Sequence, residues 1–382
     1  MSKTKKYTAI GLMSGSSLDG LDIACCEFEV VVNTPNNTNP QNAIKNWELI
    51  AAATVPFSEQ WVARLHDLPR QTAYNFAKTH TYFGHYMSEL VNVFLQTHQI
   101  EPDFIASHGH TVFHFPEKRG TTQIGDGAAL AALTGYPVIN DFRTQDVAID
   151  GEGAPLAPIA DQLLLQGYDF YLNLGGIANI TCNANGKFVA FDIGPANQVL
   201  NIMAHQLGLP FDKDGEIAAA ANPIPQLQNA VDALPYFQQA YPKSMDNNWI
   251  KEKVFPLYFE SPENWEDKLH TACEQLAAQT ATAIDQIIQK ENFVKDQYQL
   301  LPSGGGALNQ FLMQKIEKAC NQKHQVIFAQ PDNNIIEYKE AILMALMGVL
   351  RVENYANCLQ SVTGAKYDSI GGSIHQGRKK MI

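Results

Sequence analysis

Apolar and polar positions alternate from the start of the chain. Residues 7–13 are apolar, a Gly/Ser/Asp turn follows, and 21–32 resume the alternation with Ile23, Phe28 and Val30. This predicts a β-hairpin with a glycine-bearing tip. Residues 33–46, rich in Asn, Thr and Pro, read as a surface loop, and 47–55 as a third strand. Between 71 and 99 the period changes. Phe76, Phe83, Met87, Leu90, Val91, Phe94 and Leu95 fall on one helical stripe, and Pro102 follows its end. A short strand at 104–106, a helix at 126–133 and a strand at 137–139 follow.

Residues 150–158, with Gly151, Gly153, Pro155 and Pro158, interrupt this pattern and read as a hinge. Strands then restart at 168–174, 177–182 and 188–193, separated by turns. A helix at 197–207, a long helix at 265–290, strands at 298–301 and 326–329, and helices at 311–320 and 338–352 complete the chain. The repeated strand–turn order suggests a structural duplication offset by roughly 160 residues, with two similar α/β halves.

Composition narrows the class. The chain has 382 residues, 45% hydrophobic and 17% charged, which excludes disordered, collagen-like and coiled-coil chains. The formal net charge of −12 argues against a nucleic-acid partner, since phosphate backbones are held by clustered Lys and Arg. The longest apolar run, 341–350, has ten residues, whereas a membrane span needs about 20. The apolar start breaks at once into Ser14-Gly15-Ser16-Ser17, unlike a signal peptide. Six cysteines without a C-x-x-C fit a reducing compartment, so a cytoplasmic protein is expected.

Four strand-to-glycine junctions carry the candidate chemistry: Gly11 to Asp22, Asn173 to Gly176, Phe191 to Asn197 and Pro302 to Asn309. Glycine lets main-chain N–H groups approach an anion, and successive N–H groups form nests for phosphate oxygens. There is no P-loop, G-x-G-x-x-G or G-x-S-x-G pattern, so several glycine turns suggest a nucleotide held by two lobes. Asp192, at a strand end beside Gly194-Pro195, suits a general base, a water-mediated magnesium contact or a cap of the helix at 197–207. His108, His110 and His114 lie close together. No third metal ligand follows His108-x-His110, which favours hydrogen-bonded or substrate-facing histidines.

Taken together these motifs resemble the 1,6-anhydro-N-acetylmuramic acid kinases, sugar kinases of the actin-like ATPase superfamily. The resemblance runs in family order through Gly11 to Asp22, Ser107-His108-Gly109-His110-Thr111, Gln123-Ile124-Gly125, Asp141-Phe142-Arg143 and Gly153-Ala154-Pro155-Leu156. It continues through Asn173 to Asn179, Phe191 to Asn197, Gly304 to Asn309, Glu340-Ala341 and Ser361 to Ala365. It implies an α/β protein with two RNase H-like lobes flanking a nucleotide cleft, at 1–142 and 143–365, with 366–382 packing back on the first. It implies ATP and Mg2+, a small-molecule sugar substrate and a homodimer. The implied reaction is hydrolytic opening of the 1,6-anhydro ring with phosphorylation of the 6-oxygen, giving N-acetylmuramic acid 6-phosphate in cell-wall recycling.

By position, Asp192 matches the family's general base and Glu340 a second catalytic carboxylate. Gly15, Ser16, Ser17, Leu18, Asp19, Gly20, Leu21 and Asp22 match a first phosphate loop. Gly175 and Gly176 match a second, and Gly304, Gly305, Gly306 and Asn309 the nucleotide side. Ser14, His108, His110, Asp141, Arg143 and Asn197 fall to the sugar. The chain departs from the family pattern at His110, Glu152, Thr144, Gln145, Ile193 and Ala196. Most of these lie on the sugar side, so the resemblance bears more directly on the ATP chemistry than on the sugar. A kinase for another amino sugar and a nucleotide-binding actin-like protein without turnover are the alternatives.

Overall fold

The computed structural model describes residues 3–15, 18–34, 37–185, 187–245, 247–330 and 332–379. The chain opens with β1 (Thr4–Ser14), β2 (Gly20–Val31) and β3 (Ile44–Pro56), followed by α1 (Glu59–Asp67) and α2 (Ala73–His98). Next come β4 (Phe104–Phe115), β5 (Gly120–Ile124), α3 (Gly127–Thr134), β6 (Val138–Asn140), α4 (Thr144–Ala148) and α5 (Pro158–Leu163). A second series holds β7 (Phe170–Leu174), β8 (Ile177–Ala184), β9 (Lys187–Pro195) and α6 (Asn197–Gln206). Short helical turns follow over 213–260, then α7 (Trp265–Lys290), β10 (Tyr298–Ser303), α8 (Gln310–Cys320) and β11 (Val326–Phe328). The chain closes with α9 (Asn333–Val352), α10 (Gln360–Thr363) and β12 (Ser373–His375).

Two compact units result, one made of residues up to 166 together with those from 338 onward, the other of Gly167–Glu337. Their sheets share one strand order. In the first, β1, β2 and β3 form an antiparallel meander, and β4 and then β6 add in parallel on the far side of β1. In the second, β7, β8 and β9 form the meander, and β10 and β11 add in parallel beside β7. The two similar halves agree with the duplicated turn pattern, and their shared strand order is the RNase H-like arrangement that the family resemblance implies. The first sheet carries two additions, β5 against the outer half of β4 and β12 antiparallel to β6.

The units part after residues 166 and 337, whereas the sequence reading divided the chain after 142 and 365. The reason is local. Trp47 Nε1 donates to the Leu164 carbonyl at 2.9 Å, and Asp161 of α5 pairs with Lys339 of α9, so both segments stay with the first sheet. Residues 150–158, read as a hinge, lie inside this unit, held where Asp146 Oδ2 accepts the Gly153 N–H at 2.8 Å.

On one face of the first sheet, Ile10, Leu12, Leu21 and Ile23 pack with Phe83, Met87, Val91 and Phe94 of α2, so the predicted stripe is the core face. The apolar run 341–350 belongs to α9 and is buried, and no helix among the described residues is long and apolar enough to cross a membrane. In the other unit α7 buries Leu269, Cys273, Leu276, Ile284 and Ile287 with the strands of its sheet. The helix α1 and strand β5 escaped prediction. The β5 sequence Gly-Thr-Thr-Gln-Ile has no apolar alternation, and its partner β4 supplies the pairing.

Gly11, the first residue of the opening motif, is explained by packing. A Cβ there would lie 1.8 Å from the Ala341 carbonyl oxygen and 2.7 Å from the Ala345 nitrogen. Backbone meets backbone, so β1 and α9 approach closely only because position 11 lacks a side chain. Gly348 is similar, with a Cβ meeting Ala106 Cβ and the Phe104 ring at 2.8 Å. Gly11→Ala is therefore expected to destabilise this unit by about 3 kcal/mol, the upper range for overpacking. Urea unfolding reads the change, and an unmoved midpoint would refute the packing account.

Candidate active site

In the first unit the tip between β1 and β2 begins at Ser14 and Gly15; Ser16 and Ser17 lie outside the described residues. Leu18 takes a left-handed φ of 61°, and its N–H donates to the Gly15 carbonyl at 3.4 Å. The Asp19 carbonyl accepts from the Phe57 N–H, and Gly20 sits against the Val55 carbonyl, 2.5 Å from where a Cβ would be. Leu21, expected in the phosphate loop, is instead wholly buried, main chain included, and belongs to the core of the sheet, where it pairs with Val55 of β3. Asp22 stands opposite Met13 in the hairpin, and its Oδ1 accepts the Thr54 hydroxyl at 2.6 Å.

Strand β4 delivers the two predicted histidines, and Gly109 between them adopts a φ of 72°. A Cβ at Gly109 would meet the Ile124 carbonyl oxygen at 2.2 Å, so this bulge requires glycine. The bulge sends the neighbours to different partners. His110 Nδ1 lies 3.3 Å from the Ser14 hydroxyl. His108 Nε2 accepts from Arg143 Nε at 2.8 Å while its Nδ1–H donates to the Gly109 carbonyl at 3.1 Å. Burial, then the Arg143 charge, lowers the His108 pKa to about 3, so this imidazole stays neutral and serves as an acceptor for the guanidinium. Burial lowers His110 as well.

Arg143 also donates through Nη1 to the Gly153 carbonyl at 2.6 Å. Asp141, with a φ of 61°, turns the chain so that its Oδ1 accepts the Thr144 N–H at 3.4 Å and opens α4. Glu340, on α9, is reached by solvent, yet surrounding protein excludes enough water to raise its carboxyl above the ordinary range. Arg143 opposes that rise, Asp22 adds to it and Lys339 opposes it. Arg143, Asp22 and Glu340 therefore form one electrostatic group. Behind Glu340, Lys339 Nζ meets Asp161 Oδ1 at 2.6 Å, both side chains buried.

In the second unit three of the glycine junctions come together. The Asn197 N–H donates to the Gly175 carbonyl and its Nδ2 to the Leu174 carbonyl, both at 3.1 Å. Gly304, at a φ of 78°, leaves no room for a Cβ, which would lie 2.7 Å from Asn173 Oδ1; at Gly306 it would lie 2.8 Å from Leu174 Cβ. The Gly175–Gly176 turn, the start of α6 and the Gly304–Gly306 turn thus stack on one another at the ends of β7 and β10. At Gly175 a Cβ would make only ordinary contacts, the nearest at 3.7 Å, and the residue is half-buried. The N–H groups of such turns, with a helix N-terminus beside them, suit phosphate oxygens. Asn309 has a structural use, since its Oδ1 accepts the Leu312 N–H at 2.9 Å and caps α8. The methyl of Ala196 is buried in the core of this unit.

Asp192 stands on β9, paired with Asn179 of β8. Its Oδ2 accepts from the Met245 N–H at 2.9 Å and the Ser244 hydroxyl at 3.2 Å. No side chain caps α6, which removes the helix-cap alternative. Burial raises the Asp192 carboxyl, while Met245 and Ser244 hold it back. Sequence reading missed Ser244 and Met245, which lie in an irregular stretch without periodicity, and also Asp146 and Lys339, which lie on helices but whose partners are distant in the chain. Among the described residues no three His, Cys, Asp or Glu side chains converge as a metal site.

Comparison with known proteins now bears on these residues. Residues 7–377 match the family described as anhydro-N-acetylmuramic acid kinase. Relatives bearing that name include one from Sulfurovum sp. (strain NBC37-1), 31% identical over 382 residues, covering 97% of this chain and 99% of the relative. Another, from Coxiella burnetii (strain RSA 493 / Nine Mile phase I), is 31% identical over 397 residues, covering 98% and 99%. A third, from Paramagnetospirillum magneticum (strain ATCC 700264 / AMB-1), is 33% identical over 385 residues, covering 96% and 99%. Whole-chain likeness to solved structures is looser. A ROK family glucokinase from Streptomyces griseus in complex with glucose and AMPPNP has a TM-score of 0.36 and 12% identity, over 89% of this chain and 98% of that one. The near-complete sequence match, running through every motif described above, makes this chain a member of the anhydro-N-acetylmuramic acid kinase family.

Proposed function

We propose that the protein is an ATP-dependent kinase that opens the 1,6-anhydro ring of 1,6-anhydro-N-acetylmuramic acid and phosphorylates the freed 6-oxygen. The observation that carries this reading is Asp192, a carboxylate fixed by two donors and raised by burial, on the unit that also stacks the glycine turns. Its carboxylate takes a proton from water as the water oxygen bonds to the anomeric carbon. The anomeric carbon–O6 bond breaks, O6 takes the γ-phosphoryl group, and ADP and N-acetylmuramic acid 6-phosphate leave. Phosphoryl transfer depends mostly on positioning and charge neutralisation, which main-chain N–H groups suit.

Asp22 and Glu340 carry the oxygen-only donors that Mg2+ takes, usually one or two carboxylates beside waters and phosphates. When bound, the ion neutralises phosphate charge. The reading includes cytoplasmic cell-wall recycling and a homodimer, for which light scattering should give twice the 42.2 kDa of one chain; a monomer mass would remove the dimer from it.

ADP release tests the reaction. It is expected to rise on adding 1,6-anhydro-N-acetylmuramic acid, and stimulation by other amino sugars alone would reassign the substrate. Asp192→Asn cannot accept the water's proton and should lower turnover by about 10²- to 10⁴-fold, with nucleotide binding retained. Near-normal turnover in the folded variant would sink the base assignment.

The pH profile gives an independent check. A base works only when deprotonated, so a raised carboxyl places the acid limb of kcat/KM above the ordinary value of about 3.9 for Asp. Ser244→Ala removes a donor that holds the carboxyl down and should move that limb to higher pH. A limb that stays put would show that another group controls it.

A further inference from the structure

Four separated segments of the first unit converge behind Arg143. Thr363, at the end of α10, donates its hydroxyl to Asp146 Oδ1 at 2.8 Å. The same hydroxyl lies 3.3 Å from the Leu359 carbonyl, and the shorter contact to a carboxylate is the stronger one. The other carboxylate oxygen, Asp146 Oδ2, accepts the Gly153 N–H at 2.8 Å. The Gly153 carbonyl, at the other end of that residue, accepts Arg143 Nη1, and Arg143 Nε reaches His108. The Glu152 N–H donates in turn to the Thr363 carbonyl at 2.8 Å, closing the loop onto α10.

Asp146 is completely buried and Thr363 nearly so, which places both beyond contact with any substrate. A carboxylate buried this deeply is costly unless its oxygens are occupied, and here the two oxygens are taken by two different segments. A Cβ at Gly151 would lie 2.2 Å from Asp146 Oδ2, so the loop closes on the carboxylate without slack. The geometry is a relay of fixed donors and acceptors that ends on a guanidinium.

We infer that Asp146 and Thr363 are positioning residues for Arg143: they hold the 151–153 main chain so that the Gly153 carbonyl and His108 together aim the guanidinium. The inference rests on the kinase reading only for the use to which Arg143 is put; the aiming itself is a property of the unit. Thr363→Val keeps the shape and removes the hydroxyl donor, whereas Thr363→Ser keeps the donor.

The experiment follows arginine Nε–H resonances in the full-length protein labelled with 15N-arginine, Arg143 being assigned by its loss in Arg143→Lys. Thr363→Val should speed Arg143 Nε–H exchange about tenfold, the effect of losing one charge-assisted bond from the network, and Thr363→Ser should restore it. Arg351 Nε, which donates to the Gly372 carbonyl at 2.8 Å in the same unit, is the internal control and should not change. Equal acceleration at both arginines would indicate general loosening and overturn the inference, as would unchanged exchange at Arg143. If Thr363→Val does not fold, Asp146→Asn, which loses one acceptor, is read the same way. Turnover is measured separately. Thr363→Val should lower kcat, and the double variant with Arg143→Lys should be no slower than Arg143→Lys alone; additive losses would separate Thr363 from Arg143. Absence of turnover in the unaltered protein would defeat the kinase reading while leaving the exchange result to decide the positioning role.

Discussion

The first unit depends on one close approach. Helix α9 lies against β1 with only the bare Cα of Gly11 between the strand and the Ala341 carbonyl. That contact fixes the position of the residues just before it in the helix, Lys339 and Glu340, relative to the sheet. The buried Lys339–Asp161 pair adds a second anchor, joining the same turn to α5. Such a pair is weak evidence for net stability, but removing one partner strands a buried charge at a cost of about 3–5 kcal/mol. It therefore specifies position more than it adds strength, and the residue it positions is the next one along the chain.

Desolvation sets the protonation of the candidate site. It drives the His108 imidazole neutral beside a guanidinium and raises both Glu340 and Asp192. A neutral imidazole next to Arg143 avoids like-charge repulsion and supplies the acceptor that a cation needs. Raised carboxyls are better bases near neutral pH than ordinary ones, while the donors on Asp192 limit the rise and keep the group ionisable. The two carboxylates thus sit in different surroundings, one among cations and a second acid, the other between a hydroxyl and a main-chain amide.

Much of this was legible in the sequence, and the reasons are physical. The α2 stripe and the full extent of α7 follow from helical periodicity imposed by a sheet on one side. The glycine turn in 302–309 was legible because only glycine fits where Gly304 and Gly306 meet the Leu174 main chain, although that fact alone does not separate a packing glycine from a ligand-facing one. Gly11 and Gly304 illustrate the ambiguity, since each is required by a neighbouring backbone. The strand β4 was read too short, ending at 106, because Ser107-His108-Gly109-His110 interrupts the apolar pattern in its middle, while its outer half is held by pairing with β5. His108, Gly153 and Thr363 lie in motifs the sequence marks, but their convergence on Arg143 and Asp146 was illegible because they come from distant segments, and nothing in the local sequence marks Ser244 as the partner of Asp192.

The unit that carries Arg143 and Glu340 is discontinuous in the chain, and synthesis has to respect that. The ribosome finishes Gly167–Glu337, a continuous stretch with its own sheet and core, before α9 and β12 exist. Until residue 375 has emerged, the first sheet lacks both the helix that seats on Gly11 and the strand that pairs with β6, and its early strands wait with an open edge. Such edges recruit other strands. A nascent chain of this protein thus passes through a stage in which the later-made unit is complete and the earlier-made one is not. Chaperone engagement and the placement of fusion partners matter most during that interval.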